Sequence, residues 1–588
     1  MDATDIVEEP PSPGIDRNDV AGARPDERMM LARRILGGMA ATLAVTILSV
    51  LLVRVLTWDW LAVGDFGTLR LRTLDVGTSH TPLVGVYSRW GWNHPGPMLF
   101  LLMAPALRLT GGAGHGLLLG ALMINLAAIV AVLIVARRAG SGVLALVASA
   151  TAVLVRALGT GELLDPWNPY VLIVALFTAA VSAWRAVLGD RVAAVVFVVA
   201  ASFAVQSHVE VALSVTLLTV VVVAALVWRA RRGATTERRT LALALGVGLL
   251  CWLLPIIEQF TSDSGGNLRA IVSFAMHGSG DVNGLRDGVR IVTWFLALPT
   301  NWAGGDLLVP KGGASFPVAL IGLLVAGGWA LWRQYRAELV LCAVALLLVS
   351  TAVISCSRIS GVAFPYLYRW VLAVAVVVWL AIGGVVLRAV RERWGRPLLD
   401  EVVLWSATVM LLVAVLVQGP STTALEGSET ALRKFDSLVE PTLTALHELT
   451  PPTLIVVTAS GIDGSFAIDM LQRAPGEGLD LRFDAARSFI FGSQRTIDPA
   501  AANSQLVLAA GASRDTYLAD PTYRLVGAFD PLSPDERHEY ETLDAIDWSS
   551  RNDGPTDPGP EYRRYRQLAE DFEYLAVFVS DQPPSPEG

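Results

Sequence analysis

Asp65 and Asp75 follow the first long apolar run of the chain, and Arg89 and His94 come next in the segment "VYSRWGWNHPGPMLF". A positioned carboxylate can take a proton from a hydroxyl, a guanidinium can hold an oxyanion, and an imidazole can donate, accept or shuttle a proton. The same chemistry recurs downstream. Asp165 and Asn168 lie in "DPWNPY", and Gln206, His208 and Glu210 alternate through "QSHVE". Glu258 and Gln259 close an apolar run ahead of Asn267 and Arg269, and Arg358 and Arg369 frame "ISGVAFPYLY". Each set also has a plainer structural reading. Asp65 and Asp75 read equally as solvated loop aspartates. His94 reads as a turn residue between fixed prolines. Asn168 falls near a helix cap with Pro169 in the first turn, which leaves Asp165 unexplained. Arg358 and Arg369 could snorkel to lipid headgroups. Glu210, at the edge of an apolar run, favours a cavity or a partner, because a charge there is otherwise costly.

The elements that must position these groups are set by composition. Of 588 residues, 53% are hydrophobic and 17% charged, with mean hydropathy +0.52. The apolar residues come in blocks of about 20, long enough to cross a bilayer. The expected class is therefore an α-helical polytopic membrane protein. The net charge of −8 arises with scattered basic residues, which is not a nucleic-acid footprint. Cys251, Cys342 and Cys356 lie in or beside apolar runs and have no metal-ligand spacing.

Near-membrane arginines mark the cytoplasmic side. Placing Arg33-Arg34, Arg137-Arg138, Arg185 with Arg191, Arg229 to Arg239, Arg333 with Arg336, and Arg388 to Arg396 inside gives about eleven crossings. The N-terminus is then cytoplasmic and the C-terminus extracytoplasmic. Residues 96–109 and 291–300 must not cross; they are short and suit interfacial or re-entrant helices. In this topology every chemically loaded loop lies outside, and the inside loops carry little but arginine. No inverted repeat and no matched pair of Gly/Pro-broken helices points to a secondary transporter.

The expected organisation is a disordered cytoplasmic tail over 1–33, a membrane domain over 34–420 with its first outer loop at 57–115, an extracytoplasmic α/β domain over 421–580, and a disordered end at 581–588. In the third part "TLIVVTAS", "SQLVLAAGA" and "YLAVFVS" read as buried strands and "SFAIDMLQRA" as a helix. "SGIDGS" is too weak a pattern for a nucleotide site.

A first helix, a long outer loop with an early acid ("GDFGTLRLRTLDV"), and a basic-aromatic stretch running into "NHPGPMLF" together resemble the GT-C glycosyltransferase superfamily. The layout is similar to that of protein O-mannosyltransferases and lipid A aminoarabinose transferases, and "SRWGWNHPGP" looks like a bacterial branch of that group. The resemblance covers roughly 30–420 and is strongest over 64–140. The chain departs from it in having His-Pro-Gly-Pro rather than His-Pro-Pro, and a single early acid.

The resemblance implies a bacterial plasma-membrane enzyme. It would move a sugar from a polyprenyl-phosphate donor to a glycan, lipid or protein acceptor on the outer face. Asp65 would be the base, and Arg358 and Arg369 would hold the leaving phosphate. Asp75, Arg89, His94, Asp165, Asn168, His208 and Glu210 would be substrate-binding or supporting. No cofactor is assigned, and a divalent cation on Asp or His stays open. A catalytically inactive scaffold or carbohydrate-binding relative, and a lipid-linked sugar transporter, are the competing readings. Polar groups gathered at helix ends rather than at mid-membrane disfavour the transporter.

Overall fold

The computed structural model describes residues 25–232, 235–262, 265–277, 282–299, 309, 313–394, 397–419, 423–458, 462–509, 513–530, 532–546, 559–571 and 575–584. The expected N-terminal tail up to residue 24, the end from 585, and residues 459–461 of the "SGIDGS" loop lie outside the described residues.

The membrane part comprises α1 (Pro25–Thr57), α2 (Asp65–Leu74), α3 (Met98–Leu109), α4 (His115–Ala139), α5 (Ser141–Leu158), α6 (Gly161–Leu164), α7 (Asn168–Val187) and α8 (Arg191–Ser207). It continues with α9 (Ala212–Arg231), α10 (Thr235–Thr261), α11 (Asn267–His277), α12 (Gly284–Phe295), α13 (Val318–Trp332), α14 (Arg336–Ser357), α15 (Val371–Trp394) and α16 (Pro397–Gln418). Among the described residues 9 helices are long and apolar enough to cross a membrane, and α8 and α13 are shorter apolar helices. The chain is a multi-pass membrane protein. These helices fall on the expected crossings. The 12-residue α3 stands where the first non-crossing segment was expected, over 96–109, whereas the 12-residue α12 (Gly284–Phe295) starts ahead of the second, expected over 291–300, and covers only its first half. One boundary differs: α1 begins at Pro25, inside the stretch expected to be tail, because "DERMMLARR" is made of good helix formers. Arg33 in that stretch pairs with the buried Glu401 of α16 at 3.0 Å.

Helix α7 is apolar nearly all round and is buried along its length, as a central helix must be. It packs against α4, α8, α9, α14 and α15. Helices α1, α5 and α16 form a group at one side of the bundle.

Two helices, α17 (Thr423–Arg433) and α18 (Asp436–His447), lead from the membrane into the C-terminal domain, where α19 (Ile462–Glu477) follows the first strand. The six-stranded sheet has the order β3-β2-β1-β4-β6-β5. Its strands are β1 (Thr453–Val457), β2 (Leu481–Asp484), β3 (Thr496–Ile497), β4 (Ser504–Ala509), β5 (Arg524–Phe529) and β6 (Leu575–Ser580). Strands β1 to β4 pair in parallel, and β6 runs antiparallel between β4 and β5. Strands β4 and β6 are buried at every position, which is why they read as continuous apolar runs in the sequence. Helices α18 and α19 cover the sheet, and Tyr517 packs against Phe578.

The C-terminal domain is docked on the first outer loop. Val63 and Leu71, from the start of that loop, belong to the same apolar core as Phe435, Phe466, Met470 and Phe491. Arg70 donates to Gln472 at 3.1 Å, and Gln472 donates to the carbonyl of Ala62 at 3.0 Å. The domain thus holds α2 from above while the bundle holds it from below.

Candidate active site

Asp65 is the first residue of α2, reached through Gly64 at φ +51°. That left-handed turn favours glycine, and a Cβ at Gly64 would crowd the Ser465 hydroxyl of the C-terminal domain. A carboxylate at a helix N-terminus is stabilised by the unpaired N–H groups there. The Tyr87 hydroxyl donates a hydrogen bond to Oδ1 of Asp65. Burial first, and then the Asp65 charge, push the Tyr87 phenol upward, so it stays a donor. Oδ2 of Asp65 has no partner among the described residues.

Tyr87 lies in a β-hairpin that the sequence did not announce. Gly85 N donates to His94 O at 2.9 Å, His94 N donates to Val86 O at 2.8 Å, Ser88 N donates to Trp92 O at 2.7 Å, and Gly91 turns the chain at φ +79°. Asn93 fastens the hairpin on both sides. Its backbone N–H donates to Asn267 Oδ1 at 2.9 Å, its carbonyl accepts from Asn267 Nδ2 at 2.7 Å, and its side-chain amide donates to Phe489 O at 2.8 Å. Glu258 in turn accepts from the Asn267 backbone N–H at 3.0 Å. The pairing of Asn93 with Asn267 could be found only in three dimensions.

The glycine of "NHPGP" has a packing reason. A Cβ at Gly96 would enter the Gln206 side chain. Gly96→Ala is expected to destabilise the protein by about 1–3 kcal/mol through overpacking, and Gln206→Ala in the same chain should restore part of the loss. Thermal unfolding of the single and double variants in detergent checks this; additive losses would count against the contact.

The hairpin and the ends of α7, α9, α11 and α14 enclose a cavity of about 490 Å³. Asp65, Arg89, His94, Asn168, His208, Glu210 and Arg358 all line it, together with Tyr87, Trp92, Trp167 and Tyr366. Arg89 donates to Ser360 O at 2.7 Å and lies over the rings of Trp90 and Phe364 at 5.2 and 5.4 Å. Arg358 donates to Ala275 O at 2.8 Å. Among the described residues neither guanidinium is ion-paired to a carboxylate, which leaves both open to an anionic ligand.

His94 and His208 face each other with ring centroids 4.6 Å apart. Nδ1 of His94 accepts from the backbone N–H of Val209 at 3.2 Å, and Nδ1 of His208 from that of Glu210 at 3.4 Å. Burial pushes His208 down to about 3 and His94 well below its ordinary value, the latter helped by its neighbour. Both rings are therefore neutral at pH 7, and with Nδ1 accepting, each carries its proton on Nε2. Among the described residues no group of three or more His, Cys, Asp or Glu is arranged to hold a metal ion.

Three of the residues to which the resemblance gives a role are not brought to the cavity. Asp75 is buried beneath the C-terminal domain, bound by Arg495 at 2.7 and 2.9 Å, by Arg72 at 2.9 Å and by Gln494 at 2.8 Å. Arg369 is paired with Glu162 and lies over the Tyr170 ring at 4.9 Å. Burial lowers it to about 10, which leaves it charged but already neutralised. Asp165 closes a local turn by accepting from Trp167 N at 2.8 Å. Asn168 does line the cavity, but it is the first residue of α7 rather than its cap, and its amide donates to Ser207 O at 2.9 Å.

Burial raises Asp165 to about 7, opposed by the Trp167 N–H. An unfolded aspartate titrates near 3.9, so between these values the folded state binds the extra proton. Stability must then fall as pH rises through that window and level off above about 7. Asp165→Asn keeps the acceptor and removes the charge. It is expected to gain on wild type between pH 5 and pH 8 in thermal melting; an unchanged difference would contradict the burial argument.

No protein-family description matches the chain, and no curated protein does. Among solved structures the chain is similar to ArnT from Cupriavidus metallidurans bound to undecaprenyl phosphate, at 14% identity over 83% of this chain and 96% of that one, with a TM-score of 0.49. The apo state of the same protein gives 12% identity, 84% and 96% coverage and a TM-score of 0.47. The Archaeoglobus fulgidus oligosaccharyltransferase, also apo, gives 12% identity, 82% and 69% coverage and a TM-score of 0.31. The chemistry rests on this chain's own residues.

Proposed function

We propose that the protein is a glycosyltransferase that takes a sugar from a polyprenyl-phosphate donor and passes it to an acceptor hydroxyl in a glycan, lipid or protein at the outer face of a bacterial plasma membrane. The observation that carries this reading is one cavity holding both halves of the chemistry. Asp65 offers a free carboxylate oxygen at a helix N-terminus, and Arg89 and Arg358 offer guanidiniums not paired to any carboxylate among the described residues.

The acceptor hydroxyl gives its proton to Asp65 as its oxygen bonds to the anomeric carbon. The bond from that carbon to the phosphate oxygen breaks on the opposite side, and polyprenyl phosphate leaves with the electron pair. Negative charge grows on that phosphate in the transition state, where Arg89 and Arg358 act. Arg89 takes the place given to Arg369, because Glu162 already occupies Arg369. Tyr87 fixes the Asp65 carboxylate. The topology read from the arginines puts the N-terminus in the cytoplasm and the cavity and C-terminal domain outside.

Purified protein in lipid nanodiscs, given a panel of polyprenyl-phosphate sugars with envelope lipid and glycan extracts, tests the reading. Release of polyprenyl phosphate matched by glycosylated product is expected. A scaffold would release none from any donor, and a transporter would move the donor across a bilayer intact.

A further inference from the structure

Glu210 is the group in the cavity that the proposed chemistry does not use. It sits on the short turn Val209–Val211 between α8 and α9, and its side chain has no hydrogen-bond partner among the described residues. A half-buried carboxylate in the cavity wall without partners is costly unless a ligand supplies donors. Its electrostatic neighbour is Arg89 across the cavity, but Arg89 makes no hydrogen bond to it among the described residues; its Nη2 donates to the Ser360 and Val362 carbonyls at 2.7 and 3.3 Å.

The surroundings of Glu210 narrow the kind of donor. His208 is two residues away and packs on His94, and both rings have Nδ1 committed to backbone N–H groups of this same turn. Each leaves an Nε2–H with no acceptor among the described residues. One small region of the wall therefore presents a carboxyl group and two neutral N–H donors. Trp92 stands edge-on to His94 with ring centroids 5.6 Å apart and also lines the cavity. Two donors and a two-oxygen acceptor beside an aromatic surface match a polyol, whose hydroxyls both give and accept hydrogen bonds. They do not match a phosphate, which a carboxylate repels.

We infer that Glu210, with His94 and His208, forms the sugar-recognition subsite, in which the Glu210 carboxylate accepts from two neighbouring hydroxyls of the transferred sugar and the imidazole N–H groups donate to its oxygens. The inference rests on the proposed transferase reading and adds to it the substrate class: a neutral sugar with adjacent free hydroxyls. Glu210 is a specificity-determining residue here, not the base.

Glu210→Gln preserves shape and removes the charge. Hydrogen bonds to a charged group are worth about 1.5–3 kcal/mol, so kcat/KM for the preferred donor should fall about 10- to 150-fold. The probes are polyprenyl-phosphate glucose, galactose and mannose with their 2-, 3- and 4-deoxy counterparts. Turnover is measured alongside equilibrium binding, using full-length wild-type and E210Q protein of equal melting temperature. The expected result is that removing one particular hydroxyl costs wild type about as much as the mutation does, and costs E210Q little more. Equal losses by E210Q on every donor, in turnover or in binding, would reduce Glu210 to a structural role and overturn the inference. Binding without turnover would overturn the transferase reading alone, and the deoxy comparison would then be decided on affinities. Wild type that neither binds nor turns over any of these donors would overturn both.

Discussion

Asp65→Asn is expected to lower the rate of polyprenyl-phosphate release by about 10²- to 10⁴-fold, the usual contribution of a positioned general base. Asparagine keeps an oxygen to accept from Tyr87, so the start of α2 and the hairpin should stay in place. The loss should fall on kcat with little change in KM, because the proton moves only in the transition state. Initial rates at several donor concentrations, with melting temperature as the check on folding, decide the matter. A variant with near wild-type kcat would remove Asp65 from the chemistry. A variant that loses affinity instead would make it a binding residue.

Asp75→Ala should fail in another way. Asp75 holds Arg495 through both carboxylate oxygens and Arg72 through one, with only 7% of its side chain exposed. Removing it leaves two half-buried guanidiniums near each other with no counter-charge, and breaking a buried pair from one side costs up to about 3–5 kcal/mol. The loss should appear as undocking of the C-terminal domain from α2, read as a lower melting temperature and faster proteolysis in the 423–458 region. Arg495→Met in the same chain should recover part of the stability. Whatever folded protein remains should keep its donor affinity. An unchanged melting temperature would mean that the domain is held by its apolar contacts alone.

The contrast between these two aspartates shows what could be read from the chain and what could not. Both follow the first helix in a loaded loop, and nothing local separates them. Asp75 is taken out of the site by Arg495, 420 residues away in sequence. The same holds for the arginines. Arg369 stood beside Arg358 as a phosphate ligand, and Glu162 of α6, far from it in sequence, is paired with it. Long-range pairing of this kind leaves no trace in periodicity or spacing.

The crossings were legible because a bilayer imposes a length and a composition on each helix. The short α3 was legible for the same reason, while α12 begins before the apolar run that marked it in the sequence. In the C-terminal domain the fully buried β4 and β6 stood out. The four-residue β2, and β5 with its mostly exposed pattern, did not. His94, His208 and Glu210 could be named singly from "NHPGP" and "QSHVE". That they meet at one turn, with both imidazoles in the same tautomer, depends on packing around Gly96 and Gln206.

The most direct test of the central claim is a sided one. Protein reconstituted in sealed vesicles with the C-terminal domain outward, as judged by protease access, is supplied with polyprenyl-phosphate sugar in one leaflet at a time. Release of polyprenyl phosphate should occur only with donor in the leaflet on the C-terminal-domain side, and Asp65→Asn should abolish it. Release from the opposite leaflet, or equal release by the variant, would contradict an outward-facing transfer site built on Asp65.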